Sequence, residues 1–128
     1  AIEGFAAARS REIERRYLPI VRASGTDPRL RAQALADALT EDGYAASIRP
    51  VGDGTFAIQL CQGHCPIEGV ATRYPQLCEA ELLAFSRVLD LHVQRLATLA
   101  QGEHVCTTHI PVGMASGRPR SRKGLKIR

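Results

Sequence analysis

The 128-residue chain has no tryptophan, one methionine and few aromatic side chains, and no long run of apolar residues. A helix that crosses a membrane needs about 18 or more consecutive apolar residues, so no spanning helix is expected. Scarce aromatics also argue against a surface on which nucleic-acid bases stack. Four cysteines are too few for a disulfide-stapled secreted scaffold. We therefore expect one cytoplasmic globular domain whose cysteines act as ligands or redox groups.

The positive charge of the chain is concentrated at its C-terminal end. Lys and Arg number 17 against 13 Asp and Glu, which gives a net charge of +4. Residues 111–128 hold six basic residues and no acidic one, so the rest of the chain is net acidic. We predict that 111–128 form a basic flexible tail, because such a segment has too little apolar surface to order itself. Clustered Lys and Arg leave non-specific contact with DNA phosphates as the alternative role.

Hydrophobic spacing predicts helices in the first third of the chain and a hairpin after them. Residues 1–18 have apolar positions at helical spacing, and Pro19 is expected to end this first helix. Asp27 and Pro28 predict the start of a second helix, closed by Gly43. Residues 44–48 and 55–60 alternate around a glycine-rich turn, which predicts an antiparallel hairpin with Phe56, Ile58 and Leu60 on one face.

The remaining elements are a short helix opened by Pro66, a long helix over about 76–100 and a last strand over 104–110. In the long helix, Leu82 to Leu99 form an apolar seam that contains His92. The order α-α-β-β-α-α-β predicts an α+β fold, a small antiparallel three-stranded sheet packed with helices. We expect the first helix and the seam to form a homodimer interface, since the first helix has no neighbouring element to support it.

The four cysteines lie in three separate elements. Cys61 and Cys65 flank a loop that leaves a strand, Cys78 lies in the first turn of a helix, and Cys106 lies in the last strand. These elements converge only if the end of the sheet meets the start of the helix. A helix N-terminus stabilises a thiolate, so the pKa of Cys78 is expected to be low, as metal binding requires.

Several chemistries fit these cysteines. A structural zinc site is disfavoured because the chain has neither a C-x-x-C motif nor a second close pair of ligands. Ordinary buried thiols are the simplest alternative. Cys61 and Cys65 around His64 could resemble the nucleophile and base of a thiol enzyme or redox protein. Spacing alone ranks an iron–sulfur cluster first, because its ligand spacing is freer than that of a zinc knuckle.

Two segments carry a resemblance to a known family. Residues 64–81 read HCPIEGVATRYPQLCEAE, and residues 102–106 read GEHVC. This pattern resembles the sensor domain of SufR-type iron–sulfur-responsive transcriptional repressors, over about residues 39–110. The resemblance implies an oxygen-labile iron–sulfur cluster, 4Fe-4S in preference to 2Fe-2S, held by Cys65, Cys78 and Cys106. It also implies a homodimer, repression of cluster-assembly genes until the cluster is lost, and no enzymatic turnover.

The resemblance leaves a fourth ligand open. His64 is the candidate nitrogen ligand, whereas Cys61 stands outside the family triad, and strand alternation turns His109 away from Cys106. Family members carry a winged helix-turn-helix domain upstream, which we expect to supply the DNA contacts that this chain lacks. The domain prediction is a linker or dimerisation helix over 1–25, the cluster-binding sensor domain over 26–110 and the basic tail over 111–128.

Overall fold

Three helices and a four-stranded antiparallel sheet make up the part of the chain that the computed structural model describes, residues 2–63, 73–97 and 106–113. The helices are α1, α2 and α3 and the strands β1 to β4, with the sheet order β1-β2-β4-β3. The bounds are Ile2–Arg22 for α1, Pro28–Glu41 for α2, Ala46–Pro50 for β1, Ala57–Gln62 for β2, Gln76–Leu89 for α3, Gln94–Ala97 for β3 and Cys106–Pro111 for β4. The predicted α+β class is confirmed, but the sheet has four strands and not three.

The first helix is longer than predicted, because Pro19 lies inside α1 and does not end it. Proline removes one backbone N–H and disfavours a helix interior. The last turn nevertheless places Val21 in the core with no exposed surface, and this burial favours continuing the helix. Ala23 N donates to the carbonyl of Pro19 at 3.1 Å, which extends the turn.

The start of α2 follows the prediction. The Asp27 side chain caps the helix by accepting from the backbone N–H of Arg29 at 2.9 Å, and Pro28 opens the first turn. Gly43, with a φ of +97°, follows the C-terminal end in a left-handed conformation. Within α2, Leu35 and Leu39 are fully buried, while Leu30 is exposed.

The hairpin is confirmed with a shifted second strand. β1 pairs antiparallel with β2, and Ile48 lies opposite Leu60. Ile58 and Leu60 face the core as predicted. Phe56 does not: it precedes β2 and is 67% exposed.

The predicted long helix over 76–100 is wrong, because α3 ends at Leu89. Asp90 adopts a left-handed conformation with a φ of 57°, and Leu91 N donates to the carbonyl of Ser86 at 3.1 Å. The following residues alternate between buried and exposed and form β3. His92 is exposed between the two elements, so the predicted apolar seam is broken.

The first helix packs against other elements of this chain. Ile13, Tyr17 and Val21 of α1 share the main core with residues of α2, of α3 and of the inner sheet face. The expectation that α1 lacks internal support is therefore wrong, and it no longer argues for a dimer.

Two predicted segments fall partly or wholly outside the described residues. The short helix after Pro66 lies in the range 64–72, and most of the basic tail lies in 114–128. The tail begins later than predicted, because Pro111 belongs to β4 and Val112 is buried. Among the helices described, none is long and apolar enough to cross a membrane.

Truncating a buried core side chain should lower the free energy of unfolding far more than truncating an exposed one. Phe85→Ala removes a side chain that is 1% exposed, so we expect a loss of about 3–5 kcal/mol in the free energy of unfolding. The matched control, Phe56→Ala, removes a mostly exposed ring and should cost well under half as much. Urea denaturation of both variants measures the difference. Equal losses would contradict the placement of the core.

A surface contact between α1 and the end of α2 should make stability depend on pH. Arg16 donates two hydrogen bonds to Asp42, at 3.1 and 2.9 Å, and Tyr17 Oη also donates to this carboxylate. The Arg16 bond, followed by the Tyr17 bond, lowers the pKa of Asp42 below its ordinary value of 3.8. A depressed carboxylate pKa contributes stability that is present above the unfolded value and lost as pH falls through the folded one.

We therefore expect Asp42→Asn to destabilise the fold at neutral pH, with a difference from wild type that shrinks as the pH falls below 3.8. Thermal melts across pH 2–7 measure it. Asp37→Asn, an exposed position on α2, controls for loss of a surface charge. A constant difference between Asp42→Asn and wild type across that pH range would contradict the prediction.

Candidate metal centre

One end of the inner sheet face changes from apolar to polar. In β2 the inward residues run from Ile58 through Leu60 to Gln62, and in β4 they run from Ile110 through Thr108 to Cys106. Because the strands are antiparallel, both polar ends reach the same edge, where Gln62 lies directly opposite Cys106.

β3 adds a charged side chain to this polar end. Arg95 lies opposite Thr108, and directly opposed residues share a face of the sheet. Thr108 and Gln62 are almost completely buried, Cys106 is 4% exposed and the Arg95 side chain is 9% exposed. A guanidinium, an amide, a hydroxyl and a thiol thus share a buried site.

The start of α3 brings Cys78 to the same place. Glu81, one helical turn after Cys78, accepts from Arg95 of β3 at 3.0 Å, so the start of α3 meets this end of the sheet. Charges on Arg95, Glu81, Cys106 and Arg9 lie close enough to act on the pKa of the half-buried Cys78 thiol. Of the three predicted cluster ligands, Cys78 and Cys106 thus lie at the same end of the fold.

The expected low pKa of Cys78 is wrong, because the pKa is raised from the ordinary value of 9.0. Burial is the largest cause, and charges on Glu81 and Cys106 raise the pKa further, while Arg95 and Arg9 lower it. The position in the first helical turn is as predicted. Desolvation of the thiolate outweighs the favourable helix end, so Cys78 is a thiol until a cation or metal compensates it.

Cys61 lies on the other side of the sheet. It is opposite Thr107 in the pairing of β2 with β4, whereas Cys106 is opposite Gln62. Successive residues of a strand alternate between faces, so Cys61 points away from the site of Cys78 and Cys106. This placement agrees with leaving Cys61 outside the ligand set.

The histidines divide in the same way. His109 lies opposite Gln59 on the outer face, away from Cys106 as the alternation predicted. His64 and Cys65, the candidate fourth ligand and the first thiol of the triad, lie outside the described residues. Within the described ranges, no group of three or more potential metal-ligating side chains is assembled.

A buried ion cluster beside the thiols was missed by sequence reasoning. Glu81, which is 5% exposed, accepts from Arg9 at 3.2 Å and from Arg95 at 3.0 Å, and Arg9 also donates to Tyr44 Oη at 3.0 Å. Glu81 follows Cys78 by one helical turn, so the C-x2-E spacing was an available signal. Arg95 could not be found while its segment was assigned to a helix.

Several polar atoms of this site have no hydrogen-bond partner among the described residues. They are Arg95 Nε and Nη1, Gln62 Oε1 and Thr108 Oγ1. Buried polar atoms in native proteins are nearly always paired, so unpaired ones at one site indicate a missing group. Thiolate-ligated iron–sulfur clusters are anionic and accept hydrogen bonds at sulfur. Two thiols at the same end of the fold as an arginine with unpaired N–H groups fit such a cluster.

The raised pKa of Cys78 can be measured directly in the metal-free chain. We expect the rate of Cys78 alkylation by iodoacetamide to keep rising with pH beyond 9.0, because burial disfavours the reactive thiolate. Peptide mapping by mass spectrometry isolates Cys78 from the other cysteines. A short peptide, QLCEA, gives the unburied reference. A midpoint in the protein at or below that of the peptide would contradict the assignment.

Comparison with known proteins adds no relative to this geometry: no family model, curated protein or solved structure matches the chain.

Proposed function

We propose that this chain is the iron–sulfur sensor domain of a bacterial, cytoplasmic transcriptional repressor that controls cluster-assembly genes. The observation that carries the proposal is a polar end of the fold where Cys106 and an incompletely paired Arg95 lie by the helical turn of Cys78 and Glu81. It agrees with the resemblance of residues 64–81 and 102–106 to SufR-type sensors. Loss of the cluster would relieve repression, and the chain would perform no catalysis.

Cys65, Cys78 and Cys106 would hold the cluster, and His64 is the candidate for the fourth position. When bound, the cluster supplies an oxygen-sensitive redox centre. The residues of this chain anchor it from different elements, with Cys78 on α3 and Cys106 on β4. Burial of Cys106 and Gln62 keeps water from this side of the site.

The ion cluster offers a connection from the metal site to α1. Glu81 lies one turn from Cys78 and binds Arg9 of α1. A shift at the start of α3 upon cluster loss would therefore alter the contact between α3 and α1. In a homodimer with an upstream DNA-binding domain, α1 would pass this change to the DNA contacts. The basic tail would add only non-specific contact with DNA.

The ligand assignment is tested with anaerobically reconstituted protein. Cys65→Ser, Cys78→Ser and Cys106→Ser should each lose most of the iron, sulfide and visible absorbance, because too few thiolates remain to anchor the cluster. Cys61→Ser is the matched control, since this thiol lies in β2 on the opposite sheet face. It should retain wild-type iron and sulfide content.

Other outcomes identify other functions. A colourless protein that takes up zinc and no sulfide would indicate a zinc-stabilised interaction domain. A protein that binds no metal and reacts through Cys61 and Cys65 would indicate a thiol redox protein. Equal iron loss in Cys61→Ser and Cys78→Ser would contradict the three-cysteine assignment.

A further inference from the structure

The Arg95 guanidinium is held in place from one side only. Its Nη2 atom donates to Glu81 Oε1 at 3.0 Å, and the side chain is 9% exposed. The Nε and Nη1 atoms have no partner among the described residues. Burying charged N–H donors without acceptors is energetically costly, so an acceptor is expected at this position.

Glu81 does not supply the acceptor for Arg95 Nε and Nη1, because its carboxylate is shared between two arginines. One of its oxygens accepts from Arg95 and the other from Arg9, at 3.0 and 3.2 Å. Thr108, directly opposite Arg95, has an unpaired Oγ1, and Gln62, one strand further along on the same face, has an unpaired Oε1. The polar end of this face therefore has several side-chain atoms without hydrogen-bond partners among the described residues.

The candidate acceptors at this end of the fold are sulfurs. Glu81, which holds Arg95 at 3.0 Å, lies one helical turn after Cys78 on α3, so the Arg95 guanidinium lies near the turn that carries this thiol. Cys106 lies on the same sheet face, two residues along β4 from the partner of Arg95. A guanidinium with free N–H groups can donate to thiolate or bridging sulfide, and such bonds raise the reduction potential of a cluster.

We propose that Arg95 is a positioning residue of the metal centre, held by Glu81 so that its Nε and Nη1 atoms donate to the sulfurs of the Cys78 and Cys106 end of the cluster. This inference rests on the proposed function and adds a residue to it. Arg95 stabilises the bound state without being a ligand.

The test compares reconstituted wild-type protein with Arg95→Gln and Arg95→Lys. Arg95→Gln should lose iron to a chelator roughly tenfold faster, as expected for loss of an outer partner of a metal site. Its midpoint potential should shift to a more negative value, because removal of a positive charge disfavours the reduced cluster. Arg95→Lys keeps the positive charge but loses the planar guanidinium with its several N–H donors. We therefore expect a rate of iron loss between those of wild type and Arg95→Gln, and a smaller shift in midpoint potential.

Arg49→Gln is the matched control. Arg49 is an exposed strand arginine on the outer face, where it donates to Gln59 at 3.1 Å, and its variant should behave as wild type. Thermal melts of the metal-free variants check folding. If Arg95→Gln does not fold, Arg95→Lys decides, and iron loss at the wild-type rate in that variant overturns the inference.

The outcomes separate the two proposals. A wild-type chain that loads iron and sulfide, together with an Arg95→Gln variant of unchanged iron loss and potential, overturns the role of Arg95 alone. A wild-type chain that takes up neither iron nor sulfide overturns the proposed function and this inference together.

Discussion

The carboxylate of Glu81 joins three elements at this end of the fold. It lies on α3, accepts from Arg9 of α1 and from Arg95 of β3, and is nearly inaccessible to solvent. Removal of this carboxylate would leave the Arg95 guanidinium, whose side chain is 9% exposed, without its ion-pair partner, which is costlier than loss of a surface pair.

The ion cluster and the apolar core divide the space between the helices and the sheet. Leu60 and Ile110 fill the apolar end, fully buried against α2 and α3, while Gln62 and Cys106 occupy the polar end of the same strands. A buried polar network is specific only when its members are satisfied. The apolar end belongs to the continuous core, whereas the polar end keeps several side-chain atoms without hydrogen-bond partners among the described residues.

Much of the fold could be predicted from local signals. The Asp27–Pro28 helix start, the hairpin turn and the alternation of β4 each depend on neighbouring residues, and each was found. Pro19 and Asp90 were misjudged because tertiary packing decides whether a helix continues through a proline or stops at a residue that tolerates left-handed backbone. Because the end of α3 at Leu89 was not predicted, β3 was assigned to a helix, and the role of Arg95 could not be recognised from the sequence.

The register of β4 against β2 also determines which thiols can meet. Cys61 and Cys106 belong to adjacent strands, but the pleat directs them to opposite sides of the sheet. A slip of one residue would turn Cys106 toward the side of Cys61 and expose the inner face to Thr107. The sheet therefore lies between these two thiols, and a disulfide between Cys61 and Cys106 would require the strands to separate.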